Sequence, residues 1–256
     1  MTSPSASRRV VARDAPGYSE LLSRLGIEVE TEVEAGSAEA AFVLVERDGR
    51  LDLRPPGEAA RPGIQALFPP DHGPTRGGQN PLVRAFGRRM LSICDLTAGL
   101  GADAFRLAEA GHQVIGYERD PVVYALLITG WMRDCASGRV KPEIADRLEF
   151  VHAESAERLS RIERPESGVY LDPMYPQARR NKALPKRELQ VLRALLGDET
   201  DAVRLVEAAR KRVARVVVKR PHRAESIVPD VSFEIVTKLV RFDVYLDPAR
   251  MGEAGT

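Results

Sequence analysis

From Leu91 onward, short runs of β-branched and aliphatic residues alternate with segments whose apolar positions recur every three to four residues. That alternation predicts a doubly wound α/β domain, with strands buried between helices. Strands are expected at Leu91–Leu96, Gln113–Glu118, Leu148–His152, Gly168–Asp172 and Ala214–Lys219. Helices are expected at Asp103–Ala110, Pro121–Cys135, Pro185–Leu196 and Ala202–Arg212. Pro121 suits a first helical turn, where its missing N–H has no intrahelical partner to lose. Two last runs, Ser232–Thr237 and Val240–Leu246, are close enough to pair as an antiparallel hairpin.

Upstream the pattern is weaker. Residues 1–15 are small, polar and basic, and read as a disordered arm. Tyr18 to Leu25 is helix-like and ends at Gly26, and the runs Ala41–Val45 and Leu51–Leu53 flank Asp48-Gly49, a hairpin signal. Residues 16–80 are therefore expected to form a small N-terminal α+β subdomain followed by a linker, and residues 81–250 the main α/β domain. The linker, Pro55 to Asn80, is rich in Pro and Gly, and its stretch Asp71 to Asn80, which includes Arg76, excludes regular structure.

Composition narrows the class without naming a function. With 256 residues, 43% of them hydrophobic, the chain can bury one large core. No stretch approaches the roughly 20 apolar residues that cross a bilayer, and Met1 to Ala12 lacks the apolar run of a signal peptide, so a cytoplasmic protein with no membrane partner is expected. Cys94 and Cys135 show no paired spacing, and no metal site is expected. The formal charge of +1 hides an asymmetry: Glu28 to Glu58 carries nine acids against three arginines, whereas Leu171 to Glu225 carries fourteen Lys and Arg against seven acids. A basic stretch of this kind suits a polyanionic partner.

The segment Cys94 to Ala104 closes one strand and opens the next helix through a turn containing Gly99 and Gly101, which lets backbone approach a ligand closely. Gly99-x-Gly101-x-x-Ala104 also satisfies the dinucleotide fingerprint, so a nicotinamide or flavin enzyme stays open at this point. Asp95 and Asp103 tilt the choice, because carboxylates there would repel a pyrophosphate and attract a cationic amino-acid end. Glu118, at the end of the second strand, suits the hydroxyls of an adenosine ribose without choosing the cofactor, and Arg119 can lie along adenine. His152-Ala153-Glu154-Ser155 ends the third strand at the adenine edge.

The most specific signal is Gly168-Val169-Tyr170-Leu171-Asp172-Pro173-Met174-Tyr175-Pro176, a buried strand running into an Asp-Pro-aromatic turn. Such a turn fits methyl transfer from S-adenosylmethionine to an exocyclic amine on a nucleic-acid base. The amine's lone pair is delocalised into its ring, so the nitrogen must be held by acceptors and aligned with the methyl group. Asp172 can accept one N–H and a backbone carbonyl of the turn the other. Pro173 fixes the turn and brings no competing N–H, and Tyr175 offers a face on which an extruded base can stack. Arg179, Arg180, Lys182 and Lys186 follow, and Lys219, Arg220 and Arg223 stand at the end of the fifth strand. These two basic loops are expected to meet an RNA or DNA backbone, with neutralisation of nearby acids as the alternative for Lys219 and Arg220.

In these words the chain resembles the bacterial 16S ribosomal RNA guanine-N2 methyltransferases of the RsmJ family. The matching segments are Asp95–Phe105, Glu118–Val123, Tyr170–Pro176, Val217–Pro221 and Arg241–Tyr245, in order and spacing across residues 91–246. The resemblance implies a Rossmann-like class I methyltransferase fold, with a seven-stranded, mostly parallel sheet and an antiparallel last hairpin. It also implies S-adenosylmethionine contacts at Ala102-Asp103, Glu118-Arg119, Glu154-Ser155 and Asp172, and guanine N2 of small-subunit ribosomal RNA or the 30S subunit as acceptor. Where the family reads His-Ala-Ser-Ser, this chain has Glu154 at the third position. From the residues alone, adenine-N6 or cytosine-N4 methylation and a non-catalytic RNA-binding assembly factor remain alternatives.

Overall fold

Val10–Arg13 forms the first strand, β1, although the sequence around it reads as an arm. A 3₁₀ turn (Pro16–Tyr18), α1 (Ser19–Arg24), β2 (Glu28–Val29), β3 (Phe42–Arg47) and β4 (Arg50–Arg54) follow. The computed structural model describes residues 10–13, 15–29, 42–55, 61–70, 80–162, 167–174, 187–196 and 201–251. β1 lies between β2 and β3, parallel to both, with Val11 opposite Val43, and β3 and β4 close a hairpin over Asp48-Gly49. The expected arm is thus corrected for residues 10–13: four residues have too little local signal to read as a strand, but pairing on both edges buries Val11 and Ala12 completely. Residues 1–9 lie outside the described residues.

Next come α2 (Pro81–Phe86), β5 (Ser92–Asp95), α3 (Ala102–Glu109), β6 (Gln113–Glu118), α4 (Pro121–Ala136), α5 (Pro142–Ala145), β7 (Leu148–His152), α6 (Ser155–Leu159), β8 (Gly168–Leu171), α7 (Arg187–Leu196), α8 (Ala202–Arg210), β9 (Arg215–Pro221), β10 (Phe233–Val236), β11 (Val240–Leu246) and α9 (Pro248–Met251). α2 was not expected, though its start is written in Asn80-Pro81: the Asn80 side chain accepts the Leu82 N–H at 2.9 Å, and proline occupies the first turn. Asp120 caps α4 the same way, accepting the N–H groups of Val122 and Val123.

The larger sheet has the order β10-β11-β9-β8-β5-β6-β7, with five parallel strands and an antiparallel pair at one edge. This is the expected Rossmann-like arrangement. The chain leaves β5 toward β6 and β7 and then returns to β8 on the other side, so strand order reverses between β5 and β8. Ligands bind at such a switch point, beyond the carboxyl ends of the strands.

α4 joins the two sheets. It is apolar on most of its circumference, as suits a helix buried on two sides. Val122, Ala125 and Leu126 pack with Leu22, Leu44, Leu51, Leu53 and Ile64 of the N-terminal unit, whereas Leu127 belongs to the core of the larger sheet. Part of the expected linker is ordered: Ile64 bridges to Leu53, and Ala66 and Phe68 are buried. This segment crosses α4 at Gly130, where an added Cβ would lie 2.3 Å from the Ala66 carbonyl oxygen. Only glycine permits so close a crossing.

Candidate functional site

The carboxyl ends of β5, β6, β7 and β8 open into one cleft of about 330 Å³. Thr97, Gly99, Glu118, Arg119, Glu154, Ser155, Asp172 and Pro173 line it, joined by Leu196 of α7 and Asp201 and Leu205 of α8. That volume lies within the roughly 300–1,000 Å³ of small-molecule pockets. Two larger surface clefts, of about 680 Å³ each, lie around Arg204–Arg212 and, at the amino ends of β5, β6 and β7, around Arg147–Arg161, and neither gathers the carboxyl ends of the strands.

The turn after β5 is built for close approach. Gly101 has φ +82°, and a Cβ there would meet Leu127, Phe150 and Phe68 at 2.7–2.8 Å, so the loop is pressed onto the core. A Cβ at Gly99, by contrast, would meet only the Thr97 carbonyl oxygen at 3.9 Å, which leaves the cleft side open to a ligand. Glu118 stabilises this turn from below: its two carboxylate oxygens accept the N–H groups of Gly99 (2.9 Å) and Asp120 (2.8 Å) while the residue still lines the cleft. A carboxylate oxygen can accept more than one hydrogen bond, so these contacts are compatible with a ligand hydroxyl.

Asp95 lies beneath the wall rather than on it. It is 1% exposed and accepts the Thr97 N–H at 3.0 Å. Burial, opposed by that N–H and reinforced by the carboxylates of Asp103, Asp172 and Glu118, pushes its pKa up to about 8. The cleft face at this point is Thr97, whose hydroxyl accepts the Asp172 N–H at 2.7 Å and so ties the β5 turn to the end of β8. Thr97 lies within the Cys94–Ala104 segment, where no role is expected for it from sequence; a hydroxyl two residues after a strand-end acid is the available signal.

Asp103, in the first turn of α3, also points away from the cleft wall. Its Oδ2 accepts the Tyr170 hydroxyl at 2.7 Å and the Lys219 ammonium at 2.8 Å. Lys219 reaches Oδ2 of Asp172 at 2.8 Å as well. This corrects the expectation of a phosphate-binding lysine: β9 lies beside β8 with Leu171 opposite Val218, so the next residues, Asp172 and Lys219, emerge as neighbours. Arg220 is corrected too, because it is buried in the β9–β11 pairing and its guanidinium donates to the Glu225 carbonyl. Arg223 is exposed, as a nucleic-acid contact requires.

Burial pushes the Asp172 carboxyl up and Lys219 pulls it back, leaving it raised. For Asp103 burial acts upward too, but Lys219, Tyr170 and Arg106 outweigh it and the result is a lowered pKa. The Lys219 ammonium is held above its ordinary value, since the two carboxylates overcome the opposing effect of burial.

Arg119 pairs with Asp201 at 2.8 Å and joins the β6 end to α8 across the cleft. Asp201 and Leu205 were not foreseen, since nothing in their local sequence marks them as cleft residues. Glu154 is exposed at the start of α6 and lines the cleft, while the Ser155 hydroxyl turns inward to the Leu96 carbonyl. Gly101 and Ala102 stand at the helix start behind the cleft. Tyr175, Arg76, Arg179, Arg180, Lys182 and Lys186 lie outside the described residues.

The donor set suits a nucleoside carrying a cationic amino-acid end: carboxylates dominate, and Arg119 is already paired to an acid. Among the described residues that line the cleft, a pyrophosphate would meet Glu118 and Asp172 with Arg119 as the one cation, itself paired to Asp201. Among the described residues no group of three or more His, Cys, Asp or Glu could hold a metal ion, and no helix is long and apolar enough to cross a membrane.

Comparison with known proteins agrees with this reading of the cleft. The family model described as "Putative SAM-dependent methyltransferase" matches residues 28–247. A protein of Shewanella amazonensis named ribosomal RNA small subunit methyltransferase J is 46% identical over 160 residues, which span 62% of this chain and 64% of that protein, just under two thirds of its length. A protein of the same name from Yersinia pestis is 40% identical over 217 residues, 81% of this chain and 84% of that one. Among solved structures, a SAM-dependent methyltransferase from Neisseria gonorrhoeae superposes with a TM-score of 0.70 at 27% identity, covering 93% of this chain and 95% of that one. The chain therefore belongs to the family of S-adenosylmethionine (SAM)-dependent methyltransferases that includes the proteins named ribosomal RNA small subunit methyltransferase J.

Proposed function

We propose that this protein transfers a methyl group from S-adenosylmethionine to the exocyclic N2 amine of a guanine in 16S ribosomal RNA, acting in the cytoplasm on the RNA or the 30S subunit. The observation that carries the reading is the position of Asp172, at the mouth of a nucleoside-sized acidic cleft, in a chain whose relatives are named for methylating small-subunit RNA.

Glu118 receives the ribose hydroxyls, Arg119 and Glu154 flank the adenine, and the helix start at Gly101-Ala102 closes the cleft behind the amino-acid end. Asp103, whose carboxylate form is favoured, supplies negative potential there through the wall. The cofactor supplies an electrophilic methyl on a sulfonium, whose sulfur keeps the bonding pair as the new carbon–nitrogen bond forms. Asp172 accepts one amine N–H and orients the nitrogen lone pair; a backbone carbonyl of the Asp172–Pro176 turn accepts the other. The proton on the methylated nitrogen is acidic, so it leaves without a strong base. Tyr175 stacks on the extruded base, and Arg76, Arg179, Arg180, Lys182, Lys186 and Arg223 meet the RNA backbone. The catalytic unit comprises residues 81–250.

The test is transfer of labelled methyl to small subunits from cells lacking the activity, followed by nucleoside analysis. N2-methylguanosine is expected. N6-methyladenosine or N4-methylcytidine would move the same turn to another amine, and no product at all would defeat the reading. Asp172→Ala is expected to abolish transfer while calorimetry still detects S-adenosylmethionine binding.

A further inference from the structure

We propose that Lys219 is a positioning residue for the transfer step: its ammonium clamps Oδ2 of Asp172 against Oδ2 of Asp103 and so presents Oδ1 of Asp172 to the substrate amine. The assignment rests on the reading of Asp172 as the group that accepts that amine.

The clamp is geometric. Lys219 Nζ lies 2.8 Å from each carboxylate oxygen. Asp103 is itself fixed by the hydroxyl of Tyr170, a fully buried residue of β8, and the Asp172 backbone is fixed by Thr97. Oδ2 of Asp172 is therefore occupied, whereas Oδ1 accepts no hydrogen bond from any described residue. A carboxylate held at one oxygen and at its own backbone N–H has lost most of its rotational freedom, which is what an acceptor aimed at one amine requires.

The ammonium also decides the charge state of Asp172. The groups acting on that carboxyl are Lys219 from β9, Asp103 from α3 and Arg193 from α7, and Asp95 from β5 and Tyr170 from β8 complete the cluster. Asp103 is a like-charged acid, and Lys219 is the cation in direct contact. Replacing it by a neutral side chain leaves Asp172 facing Asp103 with only the weaker pull of Arg193 against burial, so the protonated form gains and the acceptor becomes a donor. At 25% exposure the Lys219 side chain is half-buried, so screening by water does not erase the effect.

The experiment compares wild-type, Lys219→Met, Lys219→Arg, Asp103→Asn and Asp172→Asn full-length proteins. Two readouts are taken: the pH profile of kcat on small subunits from cells lacking the activity, and the titration of the Asp172 carboxyl followed by carbon-13 NMR. For Lys219→Met, the Asp172 midpoint is expected to rise by about one pH unit or more, the acidic limb of kcat to move with it, and kcat at pH 7 to fall about tenfold to a hundredfold. KM should change little, and Lys219→Arg should return both midpoints toward wild type. Asp103→Asn should lower the Asp172 midpoint, which keeps the test open even if Lys219→Met does not fold. An unmoved Asp172 midpoint in folded Lys219→Met or in Asp103→Asn overturns the proposal, as does a rise in KM at unchanged kcat, the mark of a phosphate contact. Full turnover in Asp172→Asn would instead defeat the underlying reading of Asp172.

Discussion

Asp134→Ala should come close to unfolding this protein, although the residue lies on α4 outside the cleft. Asp134 is 0% exposed and serves three donors: Arg50 Nη1 at 3.1 Å, Arg50 Nη2 at 2.9 Å and the Phe68 N–H at 2.8 Å. Arg50, 5% exposed, begins β4, and Phe68 ends the segment that crosses α4, so one carboxylate joins three parts of the chain. Its removal strands a buried guanidinium, at about 3–5 kcal/mol, and an unpaired buried N–H, at about 1–3 kcal/mol. The two losses share a site and overlap, which leaves about 4–6 kcal/mol, a large part of the 5–15 kcal/mol typical of a whole domain. At about 2–4 °C per kcal/mol, Tm should fall by about 10–20 °C. The assay is urea unfolding followed by fluorescence of Trp131, the one tryptophan, which packs edge-on against Phe68 at 5.1 Å and Phe150 at 5.5 Å. The double variant Arg50→Met/Asp134→Leu should recover much of the loss, because no buried charge is left unpaired. A loss below about 1 kcal/mol in Asp134→Ala, or strict additivity in the double variant, would refute the reasoning.

Gly130→Ala should cost about 1–3 kcal/mol, since its Cβ would collide with the Ala66 backbone; an unchanged urea midpoint would show that the crossing segment is free to shift. Cys94, whose thiol is pushed up to about 11 by burial and by Asp95, should resist a thiol-specific disulfide reagent at pH 8 until urea is added, and rapid labelling of the native protein would contradict that. His112 is buried against the Met90 carbonyl, and burial outweighs that hydrogen bond to lower its pKa. The unfolded chain therefore binds the proton more readily, and this stabilising contribution is present above about pH 6.5 and lost as pH falls toward the depressed folded value. His112→Asn should flatten the dependence of the urea midpoint between pH 7.5 and 5.5, and an unaltered slope would assign it to other groups.

The strands of the larger sheet were legible with little error: Gln113–Glu118 and Leu148–His152 of its parallel part and the antiparallel Val240–Leu246 occur with the expected bounds. Buried strands are short continuous apolar runs, and the polar residues that end them mark the ligand edge, so Asp95, Glu118 and Asp172 could be placed near one cleft from their positions alone. The Gly99–Gly101 turn was legible for the same reason, its glycines answering to local backbone geometry. β1 and the Ile64–Phe68 crossing were not. Their stabilisation comes from partners far along the chain, Val43 for one and α4 for the other, and no local window contains those partners.

The sequence by itself determined the strands of the sheet, the Gly99–Gly101 turn and the strand end at Asp172-Pro173, because each is written in neighbouring residues that share one local requirement. What each charged side chain faces was decided by tertiary structure alone. Lys219 and Arg220 read as a basic pair for phosphate, yet the register of β9 on β8 turns one into a clamp between two carboxylates, and pairing with β11 buries the other. A cation meets solvent, an acid or a ligand according to which strand lies beside its own, and that is a property of chain segments far apart in sequence.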